Sequence, residues 1–137
     1  MFIYEKTVAY HETDKMGVTH HSNHVKWMEE ARVAFFEHIG LSYQMVEDMG
    51  ITSPVTSVCV DYKSPSTFGD KILIEVSVLN YTGVKLCLQY KMTSAITNVL
   101  VASATSCHCF MKNGKILALK KSEPHIHSVL ESHTKRN

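Results

Sequence analysis

The sequence predicts an α+β domain in which a curved antiparallel sheet wraps around one long central helix. Three observations carry this reading: one stretch of helical periodicity over 22–39, a switch to period-two alternation from Val55 onward, and short turns that punctuate the alternating runs. With 137 residues, 45% of them hydrophobic, the chain can build one self-supporting core without a metal or disulfide staple.

Phe2 to Tyr10 reads as a strand, rich in β-branched and aromatic residues. The polar connection HETDKMGVTHHSN follows, where Ser22 or Asn23 offers an N-cap. In HVKWMEEARVAFFEHIG, Met28, Ala31, Phe35 and Ile39 recur at helical spacing, and Gly40 supplies the stop. Only a narrow line through Lys26, Glu30, Val33 and Glu37 is mostly polar, so the helix is largely enclosed. Leu41, Met45, Val46 and Met49 then suit a further short helical turn before Pro54. Val58, Val60 and Tyr62 share one face of the first alternating run. Ile72, Ile74, Val76 and Val78 follow a break at Pro65 and Gly69-Asp70, and Val84, Leu86, Leu88, Tyr90 and Met92 follow Thr82-Gly83. A fourth run, Leu100 to Met111, ends at the hairpin signal Asn113-Gly114, and Ile116 to Leu119 returns. The domain is placed at 1–121. Pro124 and the polar end ESHTKRN mark 122–137 as a C-terminal tail with room for one short helix.

Composition excludes several function classes. Lys plus Arg number 14 against 13 Asp plus Glu, and no internal basic cluster exceeds Lys120-Lys121, so no nucleic-acid partner is expected. No run approaches the roughly 18 apolar residues of a membrane span. The N-terminus lacks the basic and apolar regions of a secretory signal, so a cytoplasmic protein is expected. Cys59, Cys87, Cys107 and Cys109 fall inside apolar strand-like runs and are expected as reduced, buried thiols.

Nine histidines, with His20, His21 and His24 inside five positions, direct attention to the connection before the helix. Free backbone N–H groups at a helix start stabilise developing negative charge. Asp14 lies just upstream, and a carboxylate beside such a site supplies a nucleophile or base for acyl transfer. Gly17 allows a sharp turn and close approach of a ligand. The same residues also suit a plain turn, where Asp and Gly are routine. A metal site of His20, His24 and Asp14 lacks HExxH or any second ligand motif, and no metal is expected.

The whole string from Tyr10 to Arg32, YHETDKMGVTHHSNHVKWMEEAR, resembles the signature of the 4-hydroxybenzoyl-CoA thioesterase-like branch of the hotdog-fold acyl-CoA thioesterases. It is similar also to the Tol-Pal-associated thioesterases of that branch. The matching features are T-D-x-x-G-V, the His seven residues after the Asp, N-x-x-x-W, and E-x-A-R. Beyond that string, Tyr62 to Pro65 and Phe68 to Asp70 look like the family's strand connection; the tail is not covered.

The resemblance implies a hotdog fold and hydrolysis of an acyl-CoA to free acid and coenzyme A, with coenzyme A as part of the substrate and no cofactor. It implies Asp14 as the catalytic carboxylate, attacking the thioester carbonyl or activating water. It places the backbone N–H of His21 on the carbonyl oxygen, with Gly17 and Val18 shaping the loop beside it. The His21 imidazole is then a base or donor, or else makes a structural hydrogen bond. His24 departs from the pattern, because relatives usually carry an aromatic residue there, and it marks the acyl pocket as the point of difference. Trp27, Lys63 and Ser64 are placed with the substrate. Lys63, Lys85 and Lys91 are available to coenzyme A phosphates, or simply solvated. Glu29 is a reserve carboxylate, since a related hotdog clade carries its acid on the central helix; its plain role is an ion pair with Arg32. The resemblance also implies a homodimer with paired sheets, commonly a homotetramer, with sites at the subunit interface. Two alternatives stay open: a non-catalytic acyl-CoA-binding protein with a vestigial Asp14, and a hydroxyacyl-thioester dehydratase, whose H-F-x-x-x-P stretch is absent.

Overall fold

The computed structural model describes residues 1–134. Its main sheet has the order β1-β3-β4-β5-β2, with every neighbouring pair antiparallel. The strands are β1 (Phe2–Thr7), β2 (Val55–Tyr62), β3 (Lys71–Tyr81), β4 (Lys85–Ser94) and β5 (Leu100–Cys109). Helix α1 (Asn23–His38) fills the concave side, one residue shorter at each end than its periodicity predicts. It ends as Gly40 requires: Gly40 adopts φ +89, its N–H bonds the Glu37 carbonyl, and the Leu41 N–H bonds that of Phe36. Helix α2 (Tyr43–Asp48) is the expected turn, capped by the Ser42 hydroxyl, which accepts from the Met45 N–H at 3.2 Å.

The core forms where α1 meets the strands. Trp27, Met28, Ala31 and Phe35 pack among Ile72, Ile74 and Val76 of β3 and Leu86, Leu88 and Met92 of β4. The fourth alternating run breaks sooner than its pattern suggests. Phe110 turns into the core, and Asn113-Gly114, both at positive φ, joins the two-residue strands β6 (Met111–Lys112) and β7 (Lys115–Ile116). Leu119 does not return as a strand; it opens helix α3 (Leu119–Ser122), its N–H bonded to the Gly83 carbonyl. The helix allowed for in the tail is α4 (Pro124–Ser132), whose Ile126 and Leu130 are buried in the same core. Among the described residues no helix is long and apolar enough to cross a membrane.

Strand β2 is the exception to this packing. Cross-strand register puts Val58, Val60 and Tyr62 on the concave face with Ser106, Ala104 and Ala102. Yet Val58 stays 43% exposed and Tyr62 49%, because α1 lies mainly toward β1 and β3 and covers the β2 edge only in part.

The concave face also holds a polar chain. Arg32 donates through Nε to the Tyr43 hydroxyl (3.0 Å) and through Nη1 to the Tyr90 hydroxyl (3.2 Å). Tyr90 bonds Ser106 (2.7 Å), and Ser106 bonds Nε2 of His108 (2.8 Å).

The opposite, outer face carries the cysteines, and here the expectation of four buried thiols is corrected. Cys87 and Cys107 stand directly opposite on β4 and β5, Cα atoms 4.1 Å apart, and are joined as a disulfide; Cys59 is exposed and Cys109 half-buried. Apolar neighbours in sequence suggested burial, but the strand pairing decides which sulfurs meet.

Candidate active site

The connection before α1 folds into a short hairpin. A 3₁₀ turn (Tyr10–Glu12) leads in, Thr13 and Thr19 bridge, and the Asp14 N–H bonds the Val18 carbonyl at 2.9 Å. At the tip the Gly17 N–H returns to the Asp14 carbonyl, and Gly17 takes φ +80, which a side chain would strain. The segment after β2 braces this hairpin. Thr19 bonds Ser66 through both backbone (2.8 Å) and hydroxyl (2.7 Å), and the Thr67 hydroxyl donates to the Gly17 carbonyl (2.8 Å).

The arrangement holds Asp14 half-buried. Its Oδ1 accepts from the Met16 N–H at 2.8 Å, while Oδ2 has no hydrogen-bond partner among the described residues. The two candidate caps of α1 are both diverted. The Ser22 hydroxyl pairs with Nδ1 of His20 (2.9 Å) and makes no cap bond, and the Asn23 amide reaches back to the Glu12 carbonyl (2.9 Å). The first turn therefore keeps its N–H groups without a side-chain cap, and the His21 N–H makes no hydrogen bond among the described residues.

Asp14, Val18, His21, His24, Lys63 and Ser64 line one open cavity of about 360 Å³, together with Tyr62. Tyr62 donates its hydroxyl to the His21 carbonyl at 2.7 Å and sets its ring edge-on against His24, centroids 4.9 Å apart. His24 is buried between Tyr62 and Trp27, with Nδ1 3.3 Å from the same His21 carbonyl. Burial pushes the His24 imidazole below its ordinary pKa, against the opposing pull of that carbonyl, so the ring is neutral at physiological pH. The His21 imidazole is exposed, stacks on His20 (4.3 Å) and makes no side-chain hydrogen bond among the described residues.

Other predicted residues lie elsewhere. Trp27 is fully buried behind His24 and out of the cavity, because its indole N–H is engaged by Glu12 at 3.0 Å. Glu29 is largely exposed, 4.0 Å from Arg32, and does not face the cavity. Lys91 borders a groove on the outer face of the sheet with Glu75 and Gln89, away from Asp14. His20, His24 and Asp14 do not converge; among the described residues no group of three or more His, Cys, Asp or Glu is placed to hold a metal.

Two residues escape sequence reasoning. Tyr62 reads as an apolar-face strand residue at the start of the strand connection, with no role at the site, and its contact with His21 spans 41 positions. Glu12 reads as loop polarity. In the structure it is 4% exposed and accepts from the Ala9 N–H (2.8 Å) and the Trp27 indole, with the Lys6 ammonium 3.4 Å away. Burial pushes the Glu12 carboxyl up, but the two N–H donors and Lys6 together hold it below its ordinary value.

A half-free carboxylate, an unpaired backbone N–H at a helix start and an open cavity between them are parts for attack on a polarised carbonyl. Known proteins resemble the chain in fold and in sequence. The structure of a DHNA-CoA thioesterase from Staphylococcus aureus superposes with a TM-score of 0.90 at 30% identity, over 95% of this chain and 88% of that one. That of a protein from Aquifex aeolicus superposes at 0.88 and 30% identity, over 95% and 99%. A 1,4-dihydroxy-2-naphthoyl-CoA hydrolase from Synechocystis is 25% identical over 78% of each chain. The fold is thus the hotdog fold, and residues 8–129 match the family model described as the thioesterase-like superfamily. The chain belongs to that superfamily.

Proposed function

We propose that the protein hydrolyses an acyl-CoA thioester, using Asp14 as nucleophile or general base and the His21 N–H as the oxyanion donor. The observation that carries this is the pairing, on one cavity, of an Asp14 oxygen and a helix-start N–H that both lack partners among the described residues. Relatives described as hydrolases or thioesterases of CoA thioesters support the reaction class. The Tyr10–Arg32 string supports a place in the 4-hydroxybenzoyl-CoA thioesterase-like branch.

In the reaction a carbonyl oxygen bound at the His21 N–H gains negative charge as an oxygen nucleophile adds. The C–S bond then breaks and coenzyme A departs as thiolate. A free thiol has a pKa of about 8.5, so this leaving group needs no strong acid beside it. Water supplies the oxygen, either directly with Asp14 taking its proton, or by cleaving an acyl-aspartyl anhydride. Gly17 and Val18 hold the loop, and Lys63 and Ser64 border the path of the coenzyme A arm. The bare β2 edge supports a second copy pairing there, as a homodimer or within a homotetramer.

The test is Asp14→Asn. Thiol release over a panel of short, long and aromatic acyl-CoAs should fall by about 10²-fold or more, with coenzyme A affinity retained. Near wild-type turnover would remove Asp14 from the chemistry. Tight binding without thiol release in the wild type would favour a non-catalytic acyl-CoA-binding protein.

A further inference from the structure

We infer that Glu12 is the positioning residue of this site, the group that fixes Asp14 and the His21 amide relative to each other. The inference rests on the roles proposed above for those two groups.

Its basis is the set of chain segments that meet at this one residue. The Glu12 carboxylate ties its own turn (Ala9 N–H), β1 (Lys6) and α1 (Trp27 indole). Its backbone carbonyl accepts from the His20 N–H (2.8 Å) and the Asn23 amide (2.9 Å). The outgoing arm of the Asp14 hairpin thus begins at Glu12, and its returning arm and the first residue of α1 are bonded to it. Asp14 lies two residues after Glu12, and His21 one residue after His20. Any shift of Glu12 is passed to both ends of the gap in which a carbonyl would sit.

Stability alone does not call for a carboxylate here. Burying one is expensive, and an apolar side chain of similar size often serves a core as well. What an apolar residue cannot do is accept from three donors on three segments and hold them in one geometry. Displacements on the order of 1 Å in such a site cost about 10²-fold in rate.

The experiment is Glu12→Gln, alone and combined with Asp14→Asn. The amide keeps the shape but turns an NH₂ toward one of the three donors. The expected result is a cooperatively folded protein with KM and coenzyme A inhibition within twofold of wild type and kcat reduced tenfold or more. Because the effect acts through the placing of Asp14 against the His21 amide, Glu12→Gln should cost several-fold less in single-turnover assays on the Asp14→Asn background than in the wild type. A kcat within twofold of wild type, a loss confined to KM, or an equal factor on the Asp14→Asn background would overturn the inference. If Glu12→Gln does not fold, Lys6→Met carries the test. It leaves Glu12 with two of its donors and should lower kcat severalfold at constant KM, and an unchanged kcat would again overturn the inference. An active Asp14→Asn would defeat the proposed function instead, a result the single variants separate from failure of the Glu12 role.

Discussion

Acid should destabilise the protein through His108 before its paired carboxylates lose their charge. His108 is 1% exposed on the concave face of β5, and burial first, then the nearby Arg32 cation, pushes its pKa from 6.5 down to about 4. Arg32 donates to Tyr90, so the Tyr90 hydroxyl is free to donate to Ser106 and Ser106 to Nε2 of His108. Nδ1 then carries the proton and has no partner among the described residues. A second proton would place a buried cation beside the Arg32 cation. The unfolded chain takes up that proton near pH 6.5 and the folded chain does not. A pKa depressed in the folded state of a base therefore leaves stability intact above pH 6.5 and drains it as pH falls toward 4. Over an interval of about 2.5 pH units, at 1.36 kcal/mol each, the loss reaches about 3 kcal/mol at pH 4. Urea unfolding at several pH values between 7.5 and 4.5 measures it, with His108→Leu as reference. His24 shifts in the same direction in both proteins and cancels in the comparison. Glu12 acts below its ordinary value of 4.5 and lies outside the window. Parallel curves for wild type and variant would refute the argument.

Two further outcomes follow from other contacts. Tyr62→Phe keeps the ring against His24 but removes the hydroxyl that donates to the His21 carbonyl. With about 1 kcal/mol for such a bond, kcat should fall about fivefold, and an unchanged kcat would detach that carbonyl from catalysis. Denaturation without reductant should expose two titratable thiols, Cys59 and Cys109; four would contradict the Cys87–Cys107 pairing.

What the sequence showed in advance follows the range of the forces involved. Helix α1 was readable to within a residue at each end, because Met28, Ala31, Phe35 and Ile39 repeat locally and Gly40 ends the helix by its own backbone freedom. Asn113-Gly114 was readable for the same reason, although its flanking strands shrink to two residues once Phe110 is drawn inward. Asp14, Gly17 and Val18 lie in one short hairpin, so a local motif located them. Contacts set by how distant segments meet were not readable. The indole of Trp27 turns to a carboxylate 15 positions away, and Ser22 loses its capping role to His20 once the hairpin folds. Cys87 meets Cys107 only because β4 and β5 pair in one register, with an irregularity at Met92/Thr93 that no composition reports.

The two walls of the cavity are built on opposite principles, and that contrast explains why the site sits where α1 begins. An oxyanion donor must be an N–H that folding leaves unsatisfied, and an unsatisfied donor is tolerated only where water or substrate can reach it. A helix start buried like the rest of α1 would need a cap. Here Ser22 and Asn23 are spent on His20 and Glu12, and the open side faces β2, whose Val58 and Tyr62 stay exposed. The opposite wall is fixed many times over, by Glu12 within and by Thr19, Ser66 and Thr67 around the Asp14 hairpin. Hydrogen bonds are thus concentrated on the wall that carries Asp14. Exposure is concentrated on the wall formed by β2, and Tyr62, rooted in β2 but bonded to His21, is the joint between the two.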